Sequence, residues 1–94
     1  MNADDVNVML AEHLPGAGAN CVELGDTYAV ASTELSELSI RPGGYVSGPT
    51  QFAIADAALW YVTFVAIGRI EPMALSSELS IRVLRPAQGE RIWA

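Results

Sequence analysis

The chain has no lysine among its 94 residues. That absence removes Schiff-base chemistry and the lysine of a phosphate-binding loop. It has one cysteine, Cys21, so an intrachain disulfide framework is excluded, and a buried free thiol in a reducing cytoplasm is the reading that remains. It has one histidine, His13, with no second ligand near it in sequence. His13 reads as a surface residue, and no metal site has enough ligands. No Gly-x-Ser-x-Gly elbow is present, so serine-nucleophile chemistry lacks its usual local geometry. No Lys or Arg precedes Arg41. The opening MNADDVNVML is acidic where a signal peptide would be basic, so a cytoplasmic location is expected. The longest apolar run, Phe52 to Ile67, is sixteen residues and holds a charge. A bilayer span needs ~20, so no membrane is expected as a partner.

What is present suits one small globular domain spanning residues 1–94: 51% of residues are apolar and 17% charged. The net charge of −6 argues against nucleic acid, because phosphate binding needs a basic surface. The charge is uneven. Residues 1–40 carry seven acids and no base, while residues 41–94 carry five arginines against four acids.

In chain order, Asp4 or Asp5 caps a first helix with Val6, Met9 and Leu10 at helical spacing, and Leu14-Pro15-Gly16 ends it. Asn20 to Leu24 and Thr27 to Ser32 read as two strands joined at Gly25-Asp26. Thr33 to Ile40 reads as a loop or poor helical turn, and Pro42-Gly43-Gly44 as a turn. The hexapeptide SELSIR occurs at 36–41 and again at 77–82, but its flanks differ and it reads as coincidence. Pro49 suits the first position of a helix running to Gly68, with Gly48 as its cap. That helix is apolar nearly all round, which predicts burial on most faces. Met73 to Leu84 alternates as a strand, 85–89 turns, and Glu90 to Ala94 begins another strand. One long helix among antiparallel strands predicts an α+β domain whose sheet wraps that helix.

Arg41 to Gly68 is the stretch with chemical content. Between Arg41 and Arg69 the sole charge is Asp56, inside the most apolar segment. A carboxylate there costs free energy unless something satisfies it. The structural reading is a buried helix residue bonded to Thr63 or Gln51, or an interface group. The chemical reading is a general base, since apolar surroundings raise a carboxyl pKa.

Arg41-Pro42-Gly43-Gly44-Tyr45-Val46-Ser47-Gly48-Pro49 followed by Ala53-Ile54-Ala55-Asp56 resembles the hotdog-fold acyl-CoA thioesterases of the PaaI type. There a His-Gly-Gly turn leads into the central helix, with a catalytic carboxylate nine residues after the histidine. Ser47 stands where the histidine is usual, Gly48 matches the first glycine, and Asp56 has the matching spacing. Residues 80–90, SIRVLRPAQGE, look like the family's strand, Arg-Pro-Ala, Gly, acid turn. The resemblance covers residues 20–94. Two departures stand out. Pro49 replaces the second glycine, and family members continue for two more strands, so an incomplete hotdog domain lacking its C-terminal strands is expected.

The resemblance implies hydrolysis of an acyl-CoA thioester. Asp56 would be general base or nucleophile, and the Gly48 N–H would polarise the thioester carbonyl with help from the helix dipole. Ser47, Pro49 and Trp60 would contact substrate, and Arg82, Arg85 or Arg91 could meet coenzyme A phosphates. No cofactor is implied beyond the coenzyme A of the substrate. Asp56 lies seven residues beyond Pro49, roughly 10 Å along a helix, so one carbonyl cannot meet both groups of one chain. A site shared between subunits of a homodimer or dimer of dimers is therefore expected. The competing function is a non-catalytic hotdog module that binds acyl-CoA or only assembles. A hotdog dehydratase ranks last, because its helix histidine is absent.

Overall fold

The first helix, α1, spans Ala3–His13. Its cap is Asn2, not Asp4 or Asp5: the Asn2 side chain accepts from the Asp5 N–H at 2.9 Å, and the Asp5 carboxylate accepts from the Asn2 N–H at 2.9 Å. This reciprocal capping box leaves Asp4 and Asp5 in the first turn, where the helix dipole favours acids. Val6, Met9 and Leu10 are buried, and His13 is exposed. Two strands follow, β1 (Ala19–Leu24) and β2 (Ala29–Glu34), paired antiparallel with an irregularity between Cys21 and Glu23. Their connection is longer than a Gly25-Asp26 turn, because the Gly25 N–H donates to the Tyr28 carbonyl at 2.9 Å. The Tyr28 ring lies over Gly25: a Cβ there would sit 2.0 Å from the ring, so any larger residue must displace it.

This computed structural model describes residues 1–16, 18–36, 39–74, 89 and 91–94. A short hairpin, β3 (Ile40–Arg41) and β4 (Tyr45–Val46), encloses Pro42-Gly43-Gly44. Gly43 and Gly44 have φ of 96° and 83°, the left-handed region that glycine enters without steric cost. The long helix α2 is Gly48–Ile67, about 30 Å of chain at ~1.5 Å per residue. Its cap is Ser47, which makes Gly48 the first helical residue. The sequence reading placed both one residue later. Gly68 ends α2 in the left-handed conformation, and its N–H donates to the Phe64 carbonyl at 2.9 Å. The last strand, β5 (Arg91–Trp93), pairs with β2, giving the sheet order β1-β2-β5.

The architecture is mixed α+β, and among the described residues two helices pack against an antiparallel sheet. Of the strand expected over 73–84, Met73 and Ala74 belong to a turn in which the Ala74 N–H donates to the Glu71 carbonyl at 3.0 Å. The rest of that strand, and the turn after it apart from Gly89, lie outside the described residues.

The core joins Val6, Met9 and Leu10 of α1, Cys21 and Ala31 of the sheet, and Ile54, Tyr61 and Phe64 of α2. Full burial of a side chain such as Phe64 contributes about 2–3 kcal/mol. Here α2 departs from the expectation of burial on most faces. Ile54, Tyr61 and Phe64 form one buried stripe facing β1 and β2, while Phe52 and Ile67 are exposed. Among the described residues the sheet packed against α2 has three strands, β1, β2 and β5. By length and composition alone α2 is long and apolar enough to cross a membrane.

Candidate functional site

The start of α2 is built by Ser47. Its hydroxyl oxygen accepts from the Thr50 N–H at 3.3 Å, and its own O–H reaches Thr50 Oγ1 at 2.7 Å. The Ser47 carbonyl accepts from the Gln51 N–H at 3.1 Å. A helix leaves its first four N–H groups without helical partners. Here the Ser47 N–H goes to the Ser39 carbonyl at 2.8 Å, Pro49 has none to offer, and that of Thr50 goes to the Ser47 hydroxyl. The Gly48 N–H is the donor that the first turn does not use. Gly48 is exposed, and a Cβ added to it would meet nothing within 4 Å.

Further along, Pro49, Ala53, Asp56 and Trp60 recur every three or four residues and therefore share a face of α2. That face forms one wall of a cavity of about 670 Å³. The facing wall is Leu10 and Leu14 from the end of α1, Ala19 and Thr33 from β1 and β2, and Pro72 and Ala74 beyond α2. The lining is largely apolar, and Asp56 is the one acid among its described residues. A volume of this size lies in the range of small-molecule pockets.

The cavity collects three of the residues the sequence singled out, Asp56, Pro49 and Trp60. Ser47 and Gly48 are not among its lining residues. Ser47 is buried and its hydroxyl is engaged in the cap, whereas Gly48 stands at the exposed start of the helix. Thr63 and Gln51, the side chains considered as local partners for Asp56, donate instead to the Leu59 carbonyl at 2.8 Å and the Val46 carbonyl at 3.2 Å. Both Gly48 and Asp56 sit on α2, eight residues apart, about 12 Å along the axis.

No protein-family model matches the chain, and no curated protein matches it.

The surrounding groups limit the chemistry. Burial pushes the Cys21 thiol up, against a weaker lowering by its bond to the Glu23 carbonyl, so it stays protonated and is a poor nucleophile. The Tyr61 phenol is pushed up to about 12, by burial first and by Cys21 second, and it donates to the Ala19 carbonyl at 3.1 Å. Trp60 packs edge-on against Phe64 at 5.2 Å, and its indole N–H is buried without an acceptor. Arg91 binds the Glu34 carboxylate and the Ser32 hydroxyl, so it is already engaged. Arg82 and Arg85 lie outside the described residues. Among the described residues no three of His, Cys, Asp and Glu gather as metal ligands.

Sequence reading missed the contribution of α1 and of Pro72 and Ala74 to the cavity. Leu10 and Leu14 carried the signal of an apolar helix end, but nothing local says which face of α2 they meet.

Proposed function

We propose that the chain is a hotdog-type acyl-CoA thioesterase that acts as a homo-oligomer in the cytoplasm. The observation that carries this reading is Asp56 in the wall of an apolar cavity, on the helix whose first N–H is unused by its cap. The cavity takes the acyl group. Asp56 accepts a proton from water as the water oxygen attacks the thioester carbonyl carbon, or its carboxylate attacks that carbon directly. The developing oxyanion is held by the Gly48 N–H of a neighbouring subunit, with the α2 dipole behind it. In the first route collapse of the tetrahedral species breaks the C–S bond and the leaving sulfur takes that proton from Asp56. In the second it leaves a mixed anhydride on Asp56 and a thiolate, and water then hydrolyses the anhydride and supplies the thiol proton. The products are a carboxylic acid and the free thiol of coenzyme A.

The rise of α2 supports a shared site, since ~12 Å along one helix is too far for one carbonyl to bridge. The test is hydrolysis of a panel of acyl-CoAs of varied chain length and aromatic character, followed by free-thiol release. The parent chain is expected to turn over at least one member, and Asp56→Ala to lower kcat at least about 100-fold while keeping its circular dichroism. Equal turnover by Asp56→Ala would sink the reading. Binding of acyl-CoA by the parent without any turnover would leave a binding module in its place.

A further inference from the structure

Among the described residues β1 has β2 on one side and no strand on the other. The alternation of an antiparallel ladder fixes which of its groups point outward. Ala31, opposite Cys21, spends its N–H and C=O on Ala94, at 2.7 and 2.9 Å. Cys21 therefore directs its own N–H and C=O away from β2, where an added strand would bind. Both are taken by one side chain. Asn7 Oδ1 accepts from the Cys21 N–H at 2.8 Å, and Asn7 Nδ2 donates to the Cys21 carbonyl at 2.8 Å. The next outward carbonyl, at Ala19, accepts from the Tyr61 hydroxyl.

A carboxamide carries one acceptor and a donor side by side, the same pair that a residue of a neighbouring strand presents. An unpaired strand edge is a template for another chain. We propose that α1 is an edge guard: the Asn7 amide occupies the strand-addition position at Cys21 and prevents two copies of this chain from joining through their β1 edges. The occupant that is excluded is a second copy, because a β1 edge is self-complementary in an antiparallel pair. The inference does not depend on thioesterase activity, and neither Asn7 nor Cys21 lines the Asp56 cavity.

The experiment replaces Asn7 with Ala, and separately with Leu, which fills similar space without either polar group. Both are better helix formers than Asn, so α1 is not weakened along its own length. Mass is measured by sedimentation across a concentration series, and exchange of the Cys21 amide is followed by NMR in dilute solution. The expected result is association beyond the parent's state at concentrations at least about tenfold lower, with Cys21 amide exchange at least about tenfold faster. Folded variants that keep the parent's mass at every concentration would overturn the proposal. So would association with the Cys21 amide as protected as in the parent, since the new contact would then lie elsewhere. If neither variant folds, the Asn7 clamp is a folding contact and the guard role falls.

Discussion

The Tyr61 hydroxyl donates to the Ala19 carbonyl at 3.1 Å and ties the middle of α2 to the first residue of β1, forty-two positions away. Tyr61 is 1% exposed, and the bond it makes to the half-buried Ala19 carbonyl is partly shielded from solvent. Tyr61→Phe keeps the ring and leaves that carbonyl without its donor. The variant is expected to lose about 1–2 kcal/mol of stability. For a domain of this size that is a fall of roughly 4–8 °C or more in Tm, to be read by thermal and urea unfolding.

The same phenol sets an alkaline limit. Its pKa is pushed up to about 12 in the folded chain, mainly by burial, against an ordinary value of about 10. A folded-state value above the unfolded one means that the unfolded chain releases the proton first. The contribution to stability is therefore complete below about pH 10 and is lost as pH rises from ~10 to ~12. Urea midpoints measured at intervals over that range should fall for the parent. Tyr61→Phe should show a shallower fall, and an equal slope in the two proteins would contradict the assignment.

Ser47 gives a prediction of opposite character, because its role in the structure is local. Ser47→Ala removes the acceptor for the Thr50 N–H and is expected to cost about 1 kcal/mol, whereas Ser47→Gly should cost only a few tenths. The order matters more than the size. A Gly variant that is less stable than the Ala variant would mean that packing around the buried hydroxyl, rather than capping, dominates. Since Ser47 does not line the cavity, KM for any acyl-CoA that is turned over should stay within about threefold in Ser47→Ala.

Local chemistry made parts of this molecule legible. Pro49 and Gly68 bracket α2 because one presets a helical φ and the other accepts a left-handed one. The hairpin at Pro42-Gly43-Gly44 follows from the same conformational preferences. The missed boundaries were rival signals of similar strength. Asn2 with Asp5 outcompeted Asp4 as a cap, and Ser47 outcompeted Gly48, because a side-chain oxygen satisfies an N–H that glycine cannot. The partial burial of α2 was illegible for a different reason. Composition says that a helix can be buried, and only its packing against the rest of the chain says how much is. Contacts such as Asn7 with Cys21 and Tyr61 with Ala19 have no local signature, since their partners are brought together only by the docking of helix on sheet.

The start of α2 permits a direct test of the shared site. Gly48 is the first helical residue, the position where proline is best tolerated. The preceding residue, Ser47, already has φ of −65° and ψ of 149°, the extended conformation that a following proline requires. Gly48→Pro deletes the one N–H proposed for the oxyanion, and because residue 48 also precedes Pro49 its helix content is to be checked against the parent by circular dichroism. Alone it should lower kcat by about 100-fold or more, the size expected for loss of an oxyanion donor. Gly48→Ala keeps the N–H, its Cβ would meet nothing within 4 Å beyond the adjoining residues, and it should remain active. Asp56→Ala should be inactive for the other reason, loss of the proposed base or nucleophile. If each site takes Gly48 from one subunit and Asp56 from its neighbour, a mixed dimer of Gly48→Pro and Asp56→Ala chains holds one intact site and one doubly broken site. Equal mixing after exchange of subunits should then restore about a quarter of the parent's activity, because half of the dimers are mixed and each has one working site. If Gly48 and Asp56 acted within one chain, every mixed dimer would remain inactive. Mixing that restores nothing, with subunit exchange verified by mass, would remove the shared site from the mechanism.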